Sequence, residues 1–204
     1  DGRYLAYSLA QAGSDWQEWK VRNVDTGQDL PDLLKWSKFS GASWTPDNKG
    51  FFYGRYDEPK GDLYQAQNYY PKIYYHAVGT SQSEDKLIYE RRDQKEWNFD
   101  AVVSEDGAYL VIHVWTGITQ HNRIFYRDLR MNGRFVELIA EFKARYFFLG
   151  NDGPVFWFHT DSGAPRGRVI AIDTTKASPQ FWTEVVPETG HAIEQVEIAG
   201  NCFI

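Results

Sequence analysis

The chain has 204 residues, with 22 Lys and Arg against 28 Asp and Glu, for a formal charge of −6, and 17% of its residues are Phe, Trp or Tyr. The acidic balance excludes a nucleic-acid-binding surface, which needs concentrated basic charge, and the longest apolar runs are too short to span a bilayer. Cys202 is the single cysteine, so no internal disulfide framework can form.

Taken in chain order, the sequence alternates two kinds of β segment. The first kind couples a tight turn to an apolar-aromatic run: DGRYLAYSLA from Asp1, SWTPDNKGFFYGRY from Ser43, VVSEDGAYLVIHV from Val102 and FFLGNDGPVFWFHT from Phe147. The second kind follows each copy: WKVRNVDTG from Trp19, KIYYHAVGT from Lys72, NRIFYRDLR from Asn122 and GRVIAIDTT from Gly167. These partners recur roughly every 45 to 55 residues, the period of a β-propeller blade.

Period-2 patterning supports the strands. Ile73, Tyr75 and Ala77 fall on one face and Lys72, Tyr74 and His76 on the other; Ile124 and Tyr126 oppose Arg123 and Arg127. Asp106-Gly107 and Asp152-Gly153 are hairpin turns, because glycine accepts the positive φ that such turns demand. GQDLPDLLKW at 28–37 reads as a loop or a single helical turn around Pro31, and residues 57–71 as a long, irregular connection. The array divides into a partial blade over 1–35, blades over 38–92, 97–142 and 143–189, and the opening of another over 192–204. Because the first residues lie inside a strand signature, the natural N-terminus is expected upstream. An open array with exposed edges is expected to be marginal alone.

Catalytic patterns are missing from this stretch. It has no G-x-S-x-G elbow, Cys-x-x-Cys, His-Glu-x-x-His, calcium loop or phosphate-cradling glycine loop. His76, His113, His121, His159 and His191 lie far apart and read as surface or strand-face residues, so neither a metal nor a cofactor is expected. Glu84-Asp85 and Glu105-Asp106 sit beside turns, where acids bond backbone amides. The basic cluster Arg91-Arg92 reads as a solvated turn.

DGRYLAYSLAQAGSDW at 1–16, LPD at 30–32, KFSGASWTPDNKGFFY at 38–53, KIYYHAVGTSQSED at 72–85, SEDGAYL at 104–110 and NRIFYRDL at 122–129 together carry a resemblance, which Val185-Val186-Pro187-Glu188 extends. In order and spacing they resemble the propeller domain of the prolyl oligopeptidase family. The resemblance implies an all-β, incomplete propeller of about four antiparallel four-stranded blades from a seven-bladed ring. Seven blades need roughly 350 residues, so this chain would supply a little over half.

The family is a two-part serine peptidase, so a C-terminal α/β-hydrolase domain of the same parent chain would carry the Ser-Asp-His triad. Its implied reaction is hydrolysis of short peptides on the carboxyl side of proline. The propeller would act as size filter and lid. A monomer is expected, in the cytoplasm given the lone cysteine and the family's habit, with periplasmic or secreted placement as the alternative, and with neither nucleic acid nor membrane as partner. By motif, Phe39 matches an aromatic lining the pocket for the residue upstream of proline, and Asn98 falls where an apolar side chain is common. Trp115 and Ile118 fall where familiar members carry Arg and Cys, which removes a positive charge and a thiol. The rival expectation is a stand-alone propeller that binds proteins.

Overall fold

The computed structural model describes residues 2–10, 15–60, 68–200 and 202–204. Gly13 and Ser14 of the GSDW motif, and residues 61–67 of the expected connection, lie outside them. By its contacts the chain divides into two compact units, Asp1–Val103 and Ser104–Ile204.

Among the described residues the first unit holds eight strands: β1 (Tyr4–Ala10), β2 (Gln17–Asn23), β3 (Asp29–Ser37), β4 (Ala42–Trp44), β5 (Gly50–Arg55), β6 (Lys72–Ala77), β7 (Lys86–Glu90) and β8 (Trp97–Val103). β1-β2-β3 make one antiparallel sheet and β4-β5-β6-β7 a second, each in sequence order. The second unit holds β9 (Tyr109–Thr116), β10 (Arg123–Asp128), β11 (Val136–Ile139), β12 (Tyr146–Asp152), β13 (Val155–Thr160), β14 (Arg168–Asp173), β15 (Thr183–Val186), β16 (Ile198–Ala199) and β17 (Cys202–Phe203). β12-β13-β14-β15 form another four-stranded meander, β10 pairs with β9 and β11 on either side, and β16-β17 form a short hairpin. The all-β meanders are those of an incomplete propeller. Among the described residues no helix is long and apolar enough to cross a membrane.

The strands begin where turn chemistry and alternation place them. Gly107 and Gly153 take φ of 69° and 51° in the turns before β9 and β13. One expectation is corrected: residues 29–37 are neither loop nor helical turn but β3. Its Leu-Leu spacing looks helical, yet Leu34 packs into the core while Leu33 points outward, the alternation of a strand. Pro31 is tolerated because β3 is an edge strand and the ladder with β2 shifts register between the Lys20–Leu33 and Arg22–Asp29 pairs.

Aromatic side chains fill the space between sheets. In the first unit Trp19, Val21 and Leu34 of the first sheet meet Phe51 and Tyr53 of the second. In the second unit Phe156 stands edge-on to Tyr109, Tyr126 and Phe148, with centroids 4.9, 5.2 and 5.4 Å away. Asn122 staples that unit: it donates to the Tyr146 carbonyl at 2.8 Å and accepts from the Tyr146 amide at 2.7 Å.

A charged brace joins the two sheets of the first unit. His76 on β6 lies between Asp32 on β3, 2.8 Å from Nε2, and Asp85, 2.7 Å from Nδ1, and all three side chains are fully buried. Neutral imidazole has one N–H, so a ring facing two carboxylates is an imidazolium. Burial opposes that charge, but the hydrogen bonds to Asp32 and Asp85 outweigh it and raise the His76 pKa to about 9. Burial also works against the Asp32 carboxylate, yet His76 and the Gly79 amide, 2.6 Å from Oδ1, hold its pKa below the usual value. Tyr53 donates to Asp85 at 2.5 Å, with Arg55 beside it. The Gln82 amide clamps the Lys35 backbone, donating to its carbonyl at 3.0 Å and accepting from its N–H at 3.1 Å.

Candidate functional site

β3 ends at Ser37 and runs into a turn, Lys38 to Gly41, that leads to β4. Two serines flank Phe39 and both bind the backbone of Gly54. Ser37 Oγ donates to the Gly54 carbonyl at 2.7 Å, and Ser40 Oγ accepts from the Gly54 amide at 2.7 Å. Trp19 completes the seat by donating from Nε1 to Ser37 Oγ at 3.0 Å. Glycine is required at position 54 because a Cβ there would lie 2.9 Å from Ser40 Cβ. Across the turn, the Gly41 amide donates to Asp100 Oδ1 on β8 at 3.2 Å.

The turn holds Phe39 in an unfavourable state twice over. Its φ is 53°, in the left-handed region, and its side chain is 53% exposed. The backbone costs about 1–2 kcal/mol for an L-residue, and an exposed aromatic gains little burial to offset it. Hydrogen bonds contribute about 1 kcal/mol each, and about 1.5–3 when a carboxylate accepts. The Ser37, Ser40 and Asp100 bonds are therefore enough to hold the turn.

Lys38, next to Phe39 in the turn, packs on a cluster of aromatic side chains. Trp16 stands edge-on to Trp36 at 6.0 Å and to Tyr56 at 5.9 Å. Lys38, 8% exposed, places its ammonium 4.0 Å from the Trp16 ring centre and donates to Asn68 at 2.9 Å. Its pKa is lowered by burial. Trp36, also left-handed at φ 65°, accepts from the Tyr56 amide at 2.8 Å. The Tyr56 hydroxyl donates to Asn98 Oδ1 at 3.2 Å, and burial pushes the phenol up to about 12.

The first unit thus brings the Phe39 turn and Asn98 onto one set of connected side chains through Tyr56 and β8. The second unit holds the other expected pair. Trp115 is half-buried near the end of β9, and Ile118 follows in the turn at full exposure after Gly117, whose φ is 56°. Tyr56, Trp36, Lys38 and Asp100 were not among the expected site residues; Asp100 carried only the alternation that puts it on the Asn98 face of β8. Among the described residues no group of three His, Cys, Asp or Glu is placed to hold a metal ion. Of the turn acids, Glu84 accepts from the Ser81 amide at 3.0 Å, and Asp106 from the Ala108 amide at 2.9 Å, as expected. Asp85 instead serves the His76 brace.

Comparison with known proteins fits this geometry. Residues 1–204 match the family profile of the prolyl oligopeptidase N-terminal β-propeller domain. Prolyl oligopeptidase A of Galerina marginata is 33% identical over 92% of the chain, which covers 28% of that protein. A prolyl endopeptidase of Elizabethkingia miricola is 32% identical over 99% of the chain, covering 28% of its own length. A solved structure from a study of two prolyl endopeptidases superposes with a TM-score of 0.89 at 34% identity, over the whole chain and 29% of that structure. Prolyl oligopeptidase B of Galerina marginata, solved with a 35-residue hydrolysis and macrocyclisation substrate, gives a TM-score of 0.88 at 30% identity over 98% of the chain and 30% of that structure. The chain spans less than a third of the length of each of these relatives, and it belongs to the prolyl oligopeptidase N-terminal β-propeller family.

Proposed function

We propose that this chain is the gating and size-filtering propeller segment of a prolyl oligopeptidase-type serine endopeptidase, which hydrolyses short peptides on the carboxyl side of proline. The triad then belongs to an α/β-hydrolase domain of the same parent protein, which is monomeric and cytoplasmic. Within the segment the blades run over 38–92, 97–142 and 143–189, with partial blades over 1–35 and 192–204. The observation that carries the reading is Phe39: an exposed aromatic in the left-handed region, held by three side chains whose bonds converge on its turn. Backbone strain held in place by a surrounding network is characteristic of ligand-contacting positions. Phe39 then lines the apolar pocket for the residue upstream of proline, and Asn98, Trp115 and Ile118 are the further candidate substrate contacts, the last two adding neither a positive charge nor a thiol.

The test uses the full-length protein with proline-containing chromogenic peptides. Phe39→Ala is expected to lower kcat/KM by a few-fold to tens-fold, since one apolar contact contributes about 1–3 kcal/mol. Absence of post-proline cleavage by the unmodified protein would leave the stand-alone binding propeller as the surviving reading.

A further inference from the structure

We propose that Asp100 is a positioning residue: through the Gly41 amide it sets the pose of Phe39, and with it the selectivity for an apolar residue upstream of proline. The inference presupposes the peptidase role proposed above. Asp100, like Asp32 at Gly79, bonds a backbone amide far along the chain and not one in its own turn. Asp47, Asp106, Asp128 and Asp173 each bond groups two residues away within their own turns. Asp100 lies mid-strand on β8, where aspartate is a poor β-former, and accepts from an amide 59 residues away. It is half-buried, and burial pushes its carboxyl above the ordinary value despite the Gly41 and Ala101 amides that favour its charge.

An acid kept in such a place against both strand propensity and desolvation has a local task, and the group it holds is the residue two after Phe39. Ser37 and Ser40 tie the chain on either side of Phe39 to Gly54, and Asp100 adds a separate anchor one residue further on, at the exit of the turn. Without that anchor the exit of the turn can shift, and the pose of the Phe39 ring shifts with it. Asp100 need not touch substrate, because its effect passes through the turn.

The experiment compares Asp100→Ala and Asp100→Asn in the full-length peptidase, on paired substrates with a large apolar residue or glycine upstream of proline. Asp100→Ala should reduce the apolar-to-glycine ratio of kcat/KM about three- to tenfold, mainly through KM. Asp100→Asn keeps an oxygen for the Gly41 amide and should stay within about twofold of the unmodified ratio. Added to Phe39→Ala, the Asp100→Ala change should cost no further selectivity, since both act through one ring. Asp100→Val, similar in size and strand-compatible, serves if the alanine variant does not fold. Hydrogen exchange at the Gly41 amide, independent of activity, should speed up in the alanine and valine variants and recover in the asparagine one. Unchanged selectivity in Asp100→Ala, additivity with Phe39→Ala, or unaltered Gly41 exchange would each overturn the proposal. A protein that cleaves no proline peptide sinks the peptidase role instead, and Gly41 exchange then still decides whether Asp100 holds the turn.

Discussion

His76→Gln removes the cation at the centre of the buried brace and leaves two carboxylates facing a neutral amide that cannot donate to both. Breaking a buried ion pair by removing one partner costs about 3–5 kcal/mol, a large share of the roughly 5–15 kcal/mol that stabilises a domain. The pH dependence makes the test specific. The His76 pKa rises from 6.5 unfolded to about 9 folded, so the folded state holds a proton that the unfolded chain releases between those values. At 1.36 kcal/mol per pH unit, the proton stabilises by roughly 3 kcal/mol below pH 6.5. That contribution is lost as pH rises through 9. Asp32, with its pKa lowered, adds stability above the ordinary carboxylate range and loses it as pH falls through its folded value.

Urea unfolding, followed by tryptophan emission, reads both effects. Trp19 and Trp44 touch Phe51, whose ring centre is 5.5 Å from that of His76. The stability difference between the unmodified protein and His76→Gln should be largest near pH 6 and shrink by roughly 3 kcal/mol by pH 9.5. A difference that stays flat from pH 6 to 9.5 would show that His76 holds no extra proton, and the imidazolium assignment would fall.

Gly54→Ala should cost about 1–3 kcal/mol, because the new Cβ, 3.0 Å from Ser40 Oγ, pushes that hydroxyl off the residue 54 amide. A lower Tm with altered selectivity upstream of proline is the expected pair of readouts, and a lower Tm alone would separate Gly54 from the Phe39 pose. Asn122→Ala strips the Tyr146 amide and carbonyl of their partners. At about 1–3 kcal/mol for each buried polar group left unsatisfied, thermal unfolding should show one of the larger single-site losses in the second unit, with Asn122→Asp intermediate because it keeps the acceptor.

The repeating architecture was legible because it is local. Segments expected to start at 19, 72, 122 and 167 became strands starting at Gln17, Lys72, Arg123 and Arg168, and the Asp-Gly turns took the positive φ their chemistry demands. β3 was missed because its evidence is not local: Pro31 and Leu33-Leu34 argue against a strand until an edge position and a register shift accommodate them. The site divided in the same way. Phe39 stood out through resemblance, whereas Asp100 could not, because its partner is 59 residues away and no spacing announces the contact. Glu84 and Asp85 are adjacent turn acids of equal charge, yet only Asp85 meets a buried histidine, a difference set by tertiary packing alone.

β3 connects the buried His76 brace to the Phe39 turn. Asp32 near its start is locked to β6 through His76, and Ser37 at its end is locked to β5 through Gly54. Four residues separate the two anchors, and the Gln82 clamp on Lys35 lies between them. The residue that presents Phe39 therefore leaves a strand fixed to the neighbouring sheet at three points. The strain at Phe39 cannot relax by sliding of β3 and stays confined to the turn. A turn strained on a fixed strand has few ways to move, so its last anchor, Asp100 beyond Ser40, is where a small change in sequence can redirect the ring without disturbing the fold.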